Sequence, residues 1–418
     1  MQIKNIHLVN YRGMEDVTVD FEPGVNLIIG NNGAGKSSLL NGLAVTLAHL
    51  LIDIGRGGAK SIVEQDIRVV SHRVGDITES MEQFLPVSIG CTLDFCNTKY
   101  IYNQIRDFNS SGVDNFSAAN KMKELVNDKN SSLPLLIYQS ARRGFFDMTR
   151  ETTLPKGKIE RQQGYKDCLK DQSNFETIQD WCANMDYAEY KFKHEVTEYR
   201  LFKMIVSQFI KELEESDAAP QVDYSPTLSR LVYSEGKDGH LIHNLSAGYQ
   251  SVLCLIMELA YRTALLNPNL NDLKSLEGVV LIDEIDIHLH PRWQWKIIGA
   301  LRTTFPNVQF IIATHSPIVI SSANDAKLIL MESPNKIKYL PDAYGYNIDD
   351  VLELTQGSVN MPQEVKEWRR EIEQALDDND LKKAEDIVRT AEDKLGKYSS
   401  AVERMKEFLE VNKWIVED

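Results

Sequence analysis

Short apolar runs predict strands in the first third of the chain. Three of them, at residues 3–9, 17–21 and 25–29, indicate strands of one mixed sheet. Further along, hydrophobic and polar positions alternate over residues 87–95 and 100–105, which is typical of an antiparallel pair. The first third of the chain is therefore predicted to be rich in β-structure.

Helical spacing of apolar residues begins after residue 140. Residues 140–225 are rich in charge and aromatic side chains, and their spacing predicts an inserted helical lobe. In contrast, residues 55–85 are predicted to be loop, and the polar stretch 109–129 to be mobile or weakly helical. Seven apolar residues of this segment are interpreted as part of a hydrophobic core rather than as a platform on which bases stack. They are Phe175, Ile178, Trp181, Phe192, Val196, Tyr199 and Phe202.

Residues 362–418 carry two further apolar stripes at helical spacing. The first consists of Leu376, Leu381, Ala384, Ile387, Val388 and Ala391. The second consists of Val402, Met405, Phe408, Leu409 and Ile415. Such stripes either fold back on the rest of the protein or bind a partner helix, and the pattern favours neither.

A phosphate-binding loop lies between the strand 25–29 and an apolar-rich helix over residues 36–51. Residues 30–37 fit G-x-x-x-x-G-K-[ST], in which glycines let backbone N–H groups surround phosphate oxygens. The pattern predicts that Lys36 reaches the β- and γ-phosphates and that the Ser37 hydroxyl binds Mg²⁺. The predicted nucleotide-binding residues here are Asn31, Asn32, Gly33, Ala34, Gly35, Lys36, Ser37 and Ser38.

An apolar run at residues 278–282 ends in two carboxylates, Asp283 and Glu284. A buried parallel strand would deliver both to the edge of the sheet where the phosphate loop lies. We expect Asp283 to hold Mg²⁺ and Glu284 to orient the attacking water. Solvated edge residues are the alternative, and the upstream phosphate loop disfavours it.

Two further short motifs are weak alone. The sequence L-S-A-G-Y-Q at residues 245–250 precedes an apolar helix, and Ser246 would also suit a helix N-cap. The sequence A-T-H-S-P at residues 313–317 follows an apolar strand. Along the chain the four motifs follow the order phosphate loop, L-S-A-G-Y-Q, acidic strand and A-T-H-S-P. This order, with the N-Y-R turn that ends at Arg12, resembles the SMC-like ABC-type ATPases.

Residues 281–294 and 305–317 are similar to one soluble branch of these ATPases. That branch includes the ATPase subunit of Septu-type anti-phage systems, also found attached to some retrons. The resemblance covers residues 1–346 and implies an α/β P-loop ABC-type ATPase head with a mixed β-sheet, an inserted helical lobe and C-terminal helices. The predicted parts are the N-terminal head 1–139, the insertion 140–225, the C-terminal head 226–346 and a helical region 347–418.

The resemblance also implies residue roles. ATP would be sandwiched between the heads of a homodimer, in which Ser246 and Gly248 cap the γ-phosphate of the opposite subunit. The implied catalytic residues are Lys36, Glu284 and His315, of which His315 contacts the γ-phosphate. Gln139, with Gln65 as second choice, would be the glutamine that senses Mg²⁺, and Arg12 would touch the nucleotide.

The loop that follows the acidic strand is implied to contact the opposite subunit. Its polar residues are Asp286, His288 and His290. A metal site built from the two histidines is the weaker alternative. The histidines are spaced i, i+2 and are expected beside the nucleotide, which favours contact with the opposite subunit.

Composition narrows the classes of partner. The net charge of −15 disfavours broad, nonspecific coating of DNA. A local basic groove for nucleic acid remains an alternative to a solvated loop for Arg142, Arg143, Arg150, Lys156, Lys158 and Arg161. The chain has 5 cysteines, an odd count without a C-x-x-C pair, and it shows no signal peptide, so we expect a cytoplasmic protein. It also lacks an apolar run of about 18 residues, so we expect no membrane span.

Three functions fit these observations. In the first, an ATPase dimer, or a higher oligomer built from it, acts as sensor and regulator of a separate effector in anti-phage defence; an HNH-type nuclease is the expected kind. The second is an ATPase of DNA repair or DNA-end processing. The third is a scaffold that binds ATP without turning it over. An ABC transporter motor fits less well, because a large insertion and helical tail do not suit docking on membrane helices.

Overall fold

The computed structural model describes residues 1–54, 60–74, 78–108, 110–113, 117–141, 160–171, 174–215, 220–236, 238–356, 363–378, 380–397 and 399–416. Its strands are β1 Gln2–Tyr11, β2 Met14–Asp20, β3 Val25–Ile29, β4 Arg68–Val74, β5 Thr78–Phe84, β6 Val87–Phe95, β7 Thr98–Arg106, β8 Ser111–Val113, β9 Leu135–Gln139, β10 Gln221–Ser225, β11 Arg230–Glu235, β12 Asp238–Leu241, β13 Gly278–Ile282, β14 Val308–Thr314, β15 Lys327–Ser333 and β16 Lys336–Leu340. Its helices are α1 Lys36–His49, α2 Ser117–Asn127, α3 Phe175–Phe192, α4 Thr197–Glu214, α5 Ala247–Leu266, α6 Pro291–Gln294, α7 Ile297–Thr304, α8 Pro317–Ser322, α9 Ile348–Gln356, α10 Gln363–Asp377, α11 Leu381–Leu395 and α12 Ser400–Val416.

A central sheet with the strand order β16-β15-β3-β14-β13-β9 positions the motifs. Its strands are parallel except for β16, and every residue of β3, β9, β13 and β14 is buried. In register, Ile29 lies opposite Thr314, and Ile282 lies opposite both Ile312 and Gln139. The phosphate loop, the loop that begins with Asp283 and Glu284 (the acidic loop) and His315 (the switch histidine) therefore lie at the same carboxyl edge of the sheet.

The remaining N-terminal strands form antiparallel sheets. The order β2-β1-β6-β7-β8 confirms the predicted pair β6–β7, but the expectation that the first three strands share one sheet is wrong. Strands β1 and β2 are only partly buried, whereas β3 is covered on both faces and belongs to the central sheet. The predicted loop 55–85 is also wrong in part, because β4 and β5 pair as a hairpin.

The predicted helical lobe contains α3 and α4, which pack on α5. The ring of Trp181 makes edge contacts with Tyr199, Phe202 and Tyr261, at centroid distances of 6.0, 5.5 and 5.3 Å. The assignment to the core is confirmed for the buried residues Phe175, Ile178, Trp181, Tyr199 and Phe202, and Val196 is half-buried. The assignment is wrong for Phe192, which is 63% exposed at the end of α3.

A buried arginine joins this lobe to α5. Arg262 forms an ion pair with Glu258 at 2.6 Å and donates hydrogen bonds to the carbonyl oxygens of Gly164 and Lys166. Arg161 is likewise structural, because its guanidinium donates to four backbone carbonyls between residues 128 and 266. The other members of the predicted basic stretch lie outside the described residues.

The chain divides by contacts into two compact units, Met1–Val351 and Leu352–Asp418. In the second unit, the two predicted stripes pack on each other and on α10. Their shared core consists of Val365, Ile372, Ala375, Leu376, Ala384, Val388, Ala391, Val402, Met405 and Leu409. Most described members of the two stripes thus cover one another, an arrangement that neither sequence-based alternative included. Phe408 is 38% exposed, and the side chain of Ile415 lies outside the described residues. Across the described part of the chain, the structure contains no helix with the length and apolar character needed to cross a membrane.

Candidate nucleotide-binding and hydrolysis site

The phosphate loop connects β3 to α1 and needs glycine at its first position. Gly30 has a φ of +153°, and a Cβ added there would lie 2.3 Å from the carbonyl oxygen of Met331. The loop tip, from Asn31 to Gly33, is exposed, while Ala34 is buried. The chain thus offers backbone N–H groups to solvent at the amino end of a 14-residue helix, where an anion is favoured.

Lys36 lies back across this loop. Its ammonium donates hydrogen bonds to the carbonyl oxygens of Gly30, at 2.7 Å, and Asn31, at 3.1 Å. Burial lowers the pKa of Lys36, and the carboxylates of Asp283, Glu284 and Asp286 oppose that shift. The cation is therefore held at the predicted phosphate position by the loop and by the acidic residues across from it.

Ser37 and Asp283 line one cavity of about 810 Å³. The backbone N–H of Asp283 donates to the carbonyl oxygen of Gln139 at 2.8 Å, so the ends of β13 and β9 are joined at this point. Gln139 is buried and Gln65 is exposed, and neither is among the residues that line the cavity, which include Tyr138 and Ser140 on either side of Gln139. Hard oxygen donors from a hydroxyl and a carboxylate fit Mg²⁺. The roles of these residues stay predictions.

Arg12 lines the same cavity, in the turn between β1 and β2. Its φ is +54°, and its guanidinium donates to the carboxylate of Asp66 at 2.8 Å. Its backbone N–H also donates to the Asp66 carbonyl oxygen. The side chain is thus fixed at the rim of the cavity, where the predicted contact with a nucleotide stays a prediction.

Lys60 is a cavity residue that the sequence reasoning missed. Its ammonium lies 5.0 Å from the centroid of the Tyr138 ring. Burial and the positive charge of Arg12 lower the pKa of Lys60 to about 8, against the opposing effect of Asp66 and Asp171. No motif marks this residue, because it reaches the cavity from a connecting segment rather than from a regular element.

The loop after β13 is strained and touches the switch histidine. Glu284, which is half-buried, has a φ of +47°, in the left-handed region that side chains rarely adopt. The buried carboxylate of Asp286 accepts a hydrogen bond from the Thr314 hydroxyl at 2.5 Å and lies 3.4 Å from Nδ1 of His315. Asp286 is therefore engaged within its own chain, and the structure links it to the orientation of His315.

The two histidines of this loop are exposed. His290 caps α6 by accepting from the backbone N–H of Arg292, and His288 has a φ of +63°. Among the described residues, no group of three or more side chains of metal-binding type comes together. Contact of His288 and His290 with an opposite subunit stays a prediction.

The turn formed by the motif L-S-A-G-Y-Q at residues 245–250, which we call the signature turn, packs directly on the acidic loop. A Cβ added to Gly248 would lie 2.8 Å from the carbonyl oxygen of His288. The next residue, Tyr249, contacts Trp293 with ring centroids 4.5 Å apart and donates its hydroxyl to Glu214. Ser246 caps α5 at the Tyr249 N–H and remains exposed. The predicted trans-acting serine is thus at the surface, next to the acidic loop.

Comparisons with known proteins agree with this arrangement. A model of the AAA domain matches residues 5–215. A second AAA-domain model, described with the AbiEii toxin of a type IV TA system, matches residues 115–321. Together the matches include the phosphate loop, the acidic strand and the switch histidine.

Relatives match over most of their length. The retron Vc95 probable ATPase of Vibrio cholerae serotype O1 biovar El Tor is 29% identical over 417 residues, covering 86% of this chain and 79% of that protein. The Septu protein PtuA of Bacillus thuringiensis is 25% identical over 402 residues, covering 91% of each.

A solved structure supports the fold. The SmcHead crystallised with the C-winged helix domain of ScpA matches with a TM-score of 0.50 and 14% identity, over 81% of this chain and 98% of that chain. This similarity confirms the predicted architecture of a mixed sheet with added helices. The chain therefore belongs to the AAA-domain family, and it is an ATPase with the fold of an SMC head.

Proposed function

We propose that this ATPase binds Mg²⁺-ATP at its phosphate loop, that two copies close on the nucleotide, and that turnover controls a separate effector protein in anti-phage defence. The observation that carries the nucleotide part is the convergence of Lys36, Ser37, Asp283 and the Asp286–His315 pair at one edge of the central sheet. These residues come from three separate segments of the sequence, the phosphate loop, the acidic strand with its loop, and residues 313–317, so their meeting is a property of the fold.

The chemistry follows from where each group lies. Lys36 and the loop N–H groups neutralise charge on the transferred phosphoryl group. Glu284 orients the attacking water, and Asp286 holds one side of the His315 ring so that Nε2 is left for a γ-phosphate oxygen. Ser37 and Asp283 would hold Mg²⁺, which when bound neutralises negative charge on the phosphate oxygens.

The proposal for two subunits rests on the signature turn. Ser246 is exposed at the amino end of the 20-residue helix α5, where its hydroxyl and the helix dipole suit a phosphate. The resemblance to SMC-like ATPases implies that such a serine contacts the nucleotide of a second copy, and symmetric pairs are the commonest assemblies of oligomeric soluble proteins.

The role in defence is supported by the names of the relatives, a retron ATPase and a Septu protein. The resemblance implies a nuclease, of which an HNH-type enzyme is an example, as the controlled effector. The helices α10–α12, which form a core of their own, are the candidate region for that partner.

Turnover and assembly test the nucleotide part. We expect the Glu284→Gln variant to bind ATP, to sediment as a dimer with ATP and Mg²⁺, and to lose about a hundredfold or more of its turnover. The Lys36→Ala variant should neither bind ATP nor dimerise with it. Equal, near-zero turnover of the wild type and Glu284→Gln, with both dimerising, would instead favour the scaffold without hydrolysis.

Recovery from the native host tests the effector. Tagged Glu284→Gln protein is isolated with its bound chains, and Lys36→Ala protein serves as the control for contacts that do not need ATP. Stoichiometric recovery of a nuclease with Glu284→Gln alone supports the proposal. Recovery of DNA without a protein partner, lost at high salt, would replace it with the DNA-processing alternative.

A further inference from the structure

A second cavity lies in the helical lobe and shares no residue with the nucleotide cavity. We call it the tyrosine pocket. Its volume is about 480 Å³, and its walls include Asp186, Tyr187 and Tyr190 of α3 and Tyr224 and Pro226 near the end of β10. Three phenol rings thus surround one small space beside a carboxylate.

The three α3 residues are not required by the core. Asp186, Tyr187 and Tyr190 lie at i, i+1 and i+4, and together with Ala183 they form one stripe of the helix. The opposite face, which carries Trp181, is the one buried against α4 and α5. Tyr187 is 53% exposed and Tyr190 is 82% exposed. Exposed aromatic residues grouped on one stripe are typical of a binding surface.

The carboxylate of the pocket, Asp186, has no direct partner among the described residues. Lys203 on α4 lies 3.7 Å from Glu189 and 3.6 Å from Asp223, so these two carboxylates share one cation. Within the part of the chain that the structure describes, Asp186 has neither a hydrogen bond nor an ion pair. Burial raises the pKa of Asp186, and the like charges of Glu189 and Asp223 raise it further, while the positive charge of Lys203 opposes the shift. A cation in the pocket would relieve this unfavourable environment.

The protein already uses this combination of groups a short distance away. The Lys203 ammonium lies 4.2 Å from the centroid of Tyr199, between the two carboxylates that it neutralises. At the outer side of α3, Lys191 lies 6.0 Å from the Tyr187 centroid and 5.5 Å from that of Phe192. Tyrosine faces beside carboxylates are therefore cation sites in this lobe.

We propose that the tyrosine pocket binds an arginine side chain of a partner protein. A guanidinium is planar, so it can stack on tyrosine rings while its N–H groups meet the Asp186 carboxylate in a fork. A lysine ammonium would neutralise the Asp186 carboxylate, but it is not planar and could not stack on the tyrosine rings. The inference does not depend on nucleotide binding, and its failure would leave the proposed ATPase mechanism unchanged.

Tyrosine-labelled protein without nucleotide provides the test. NMR spectra are recorded during titration with three short peptides that differ at one position, which is arginine, citrulline or norleucine. We expect the arginine peptide to shift the resonances of Tyr187, Tyr190 and Tyr224. Citrulline has nearly the same shape without the charge, so its peptide should bind roughly tenfold more weakly.

Two variants locate the site. Asp186→Asn should weaken binding of the arginine peptide roughly tenfold, because it removes the charge and keeps the shape. Tyr190→Ala should also weaken binding, and its exposed position keeps the fold intact. Glu195→Gln, a charge change outside the pocket lining, is the matched control and should have no effect. Absence of the shifts, equal binding of the three peptides, or unchanged affinity in both pocket variants would overturn the proposal.

Discussion

At the residue scale, the contact between Gly248 and the His288 carbonyl oxygen joins the signature turn to the acidic loop. A methyl group at residue 248 would lie 2.8 Å from that backbone oxygen, so the two segments must separate. We expect Gly248→Ala to lower ATP turnover by up to about a hundredfold, since small misplacements of reacting groups have effects of this size. Binding of ATP to a single subunit should persist, because the phosphate loop is untouched.

Steady-state kinetics and equilibrium binding of ATP check this prediction. Gly299→Ala is the matched control, because a Cβ there meets nothing within 4 Å and the residue lies exposed on α7. That control should keep full turnover and gain up to about 1 kcal/mol of stability from the better helix former. Full turnover in Gly248→Ala would contradict the coupling of signature turn and acidic loop.

The pKa of Lys60 leads to a pH prediction. A lysine with an ordinary pKa is almost wholly protonated at pH 8, whereas Lys60, with a pKa of about 8, is half neutral there. The neutral amine is the reactive form, so acylation of Lys60 should rise with pH to a midpoint near 8. The pKa of Lys60 is about 8 in the folded protein and about 10.5 in the unfolded chain, so between these pH values the unfolded chain binds more protons. The free energy of unfolding should therefore rise between about pH 8 and 10.5.

Peptide mapping by mass spectrometry follows the acylation of Lys60 at each pH. ATP and Mg²⁺ should slow the reaction, because the phosphates would favour the protonated amine. The Lys60→Met variant should lose the rise in stability over the same pH range. Acylation of Lys60 only above pH 10 would show that its amine is not confined in the cavity.

At the element scale, the buried pair Arg262–Glu258 fixes α5 to the segment around Gly164. Removal of Arg262 would take the donor from two carbonyl oxygens and would leave the buried Glu258 carboxylate without its cation, with the Asn174 amide still donating to it. We expect Arg262→Met to lower the free energy of unfolding by about 3–5 kcal/mol in a urea titration. The double variant with Glu258→Gln should lose less than the sum of the single changes. A loss below about 1 kcal/mol in Arg262→Met would contradict this role.

Sequence patterns identified elements well where burial and motif coincide. Strands β3, β13 and β14 are mostly apolar runs that lead into motif residues, with Asn26 in β3 and Gln309 in β14 as polar interruptions, and the sequence predicts all three. The hairpin of β4 and β5 was missed, because it pairs mainly with itself and leaves residues such as Met81 exposed, so its sequence has little apolar alternation. The sequence also did not predict which strands pair with each other. It predicts strands at both β1 and β3, and only burial on both faces assigns β3 to the central sheet.

The same limit applies to the site. Lys36, Ser37 and Asp283 lie in local patterns that have a chemical meaning by themselves. The Asp286–His315 pair and the contribution of Lys60 arise from segments far apart in sequence. Such contacts depend on the register of the paired strands and on the path of the loops. The spacing of residues along the sequence predicts neither.

At the scale of the whole molecule, each contact unit has a core of its own. Ile372 lies in the core of the second unit and Ile311 in the central sheet, and both are buried. We expect two unfolding steps in hydrogen exchange. Ile372→Ala should weaken protection only in α10–α12, and Ile311→Ala only in the sheet, each by about 2–5 kcal/mol. Loss of protection across the full chain in both variants would contradict independent units.

The position of β3 between β14 and β15 also sets the order of events during synthesis. The strand that carries the phosphate loop leaves the ribosome among the first 30 residues, but its neighbours begin at residues 308 and 327. At about 5–20 residues per second, that interval lasts about 15–60 s. During this time β3 has no hydrogen-bonding partner of its own sheet, and the segment needs protection from aggregation. An interrupted translation product therefore cannot complete a nucleotide site, so prematurely released chains would be inactive and recognisable to chaperones.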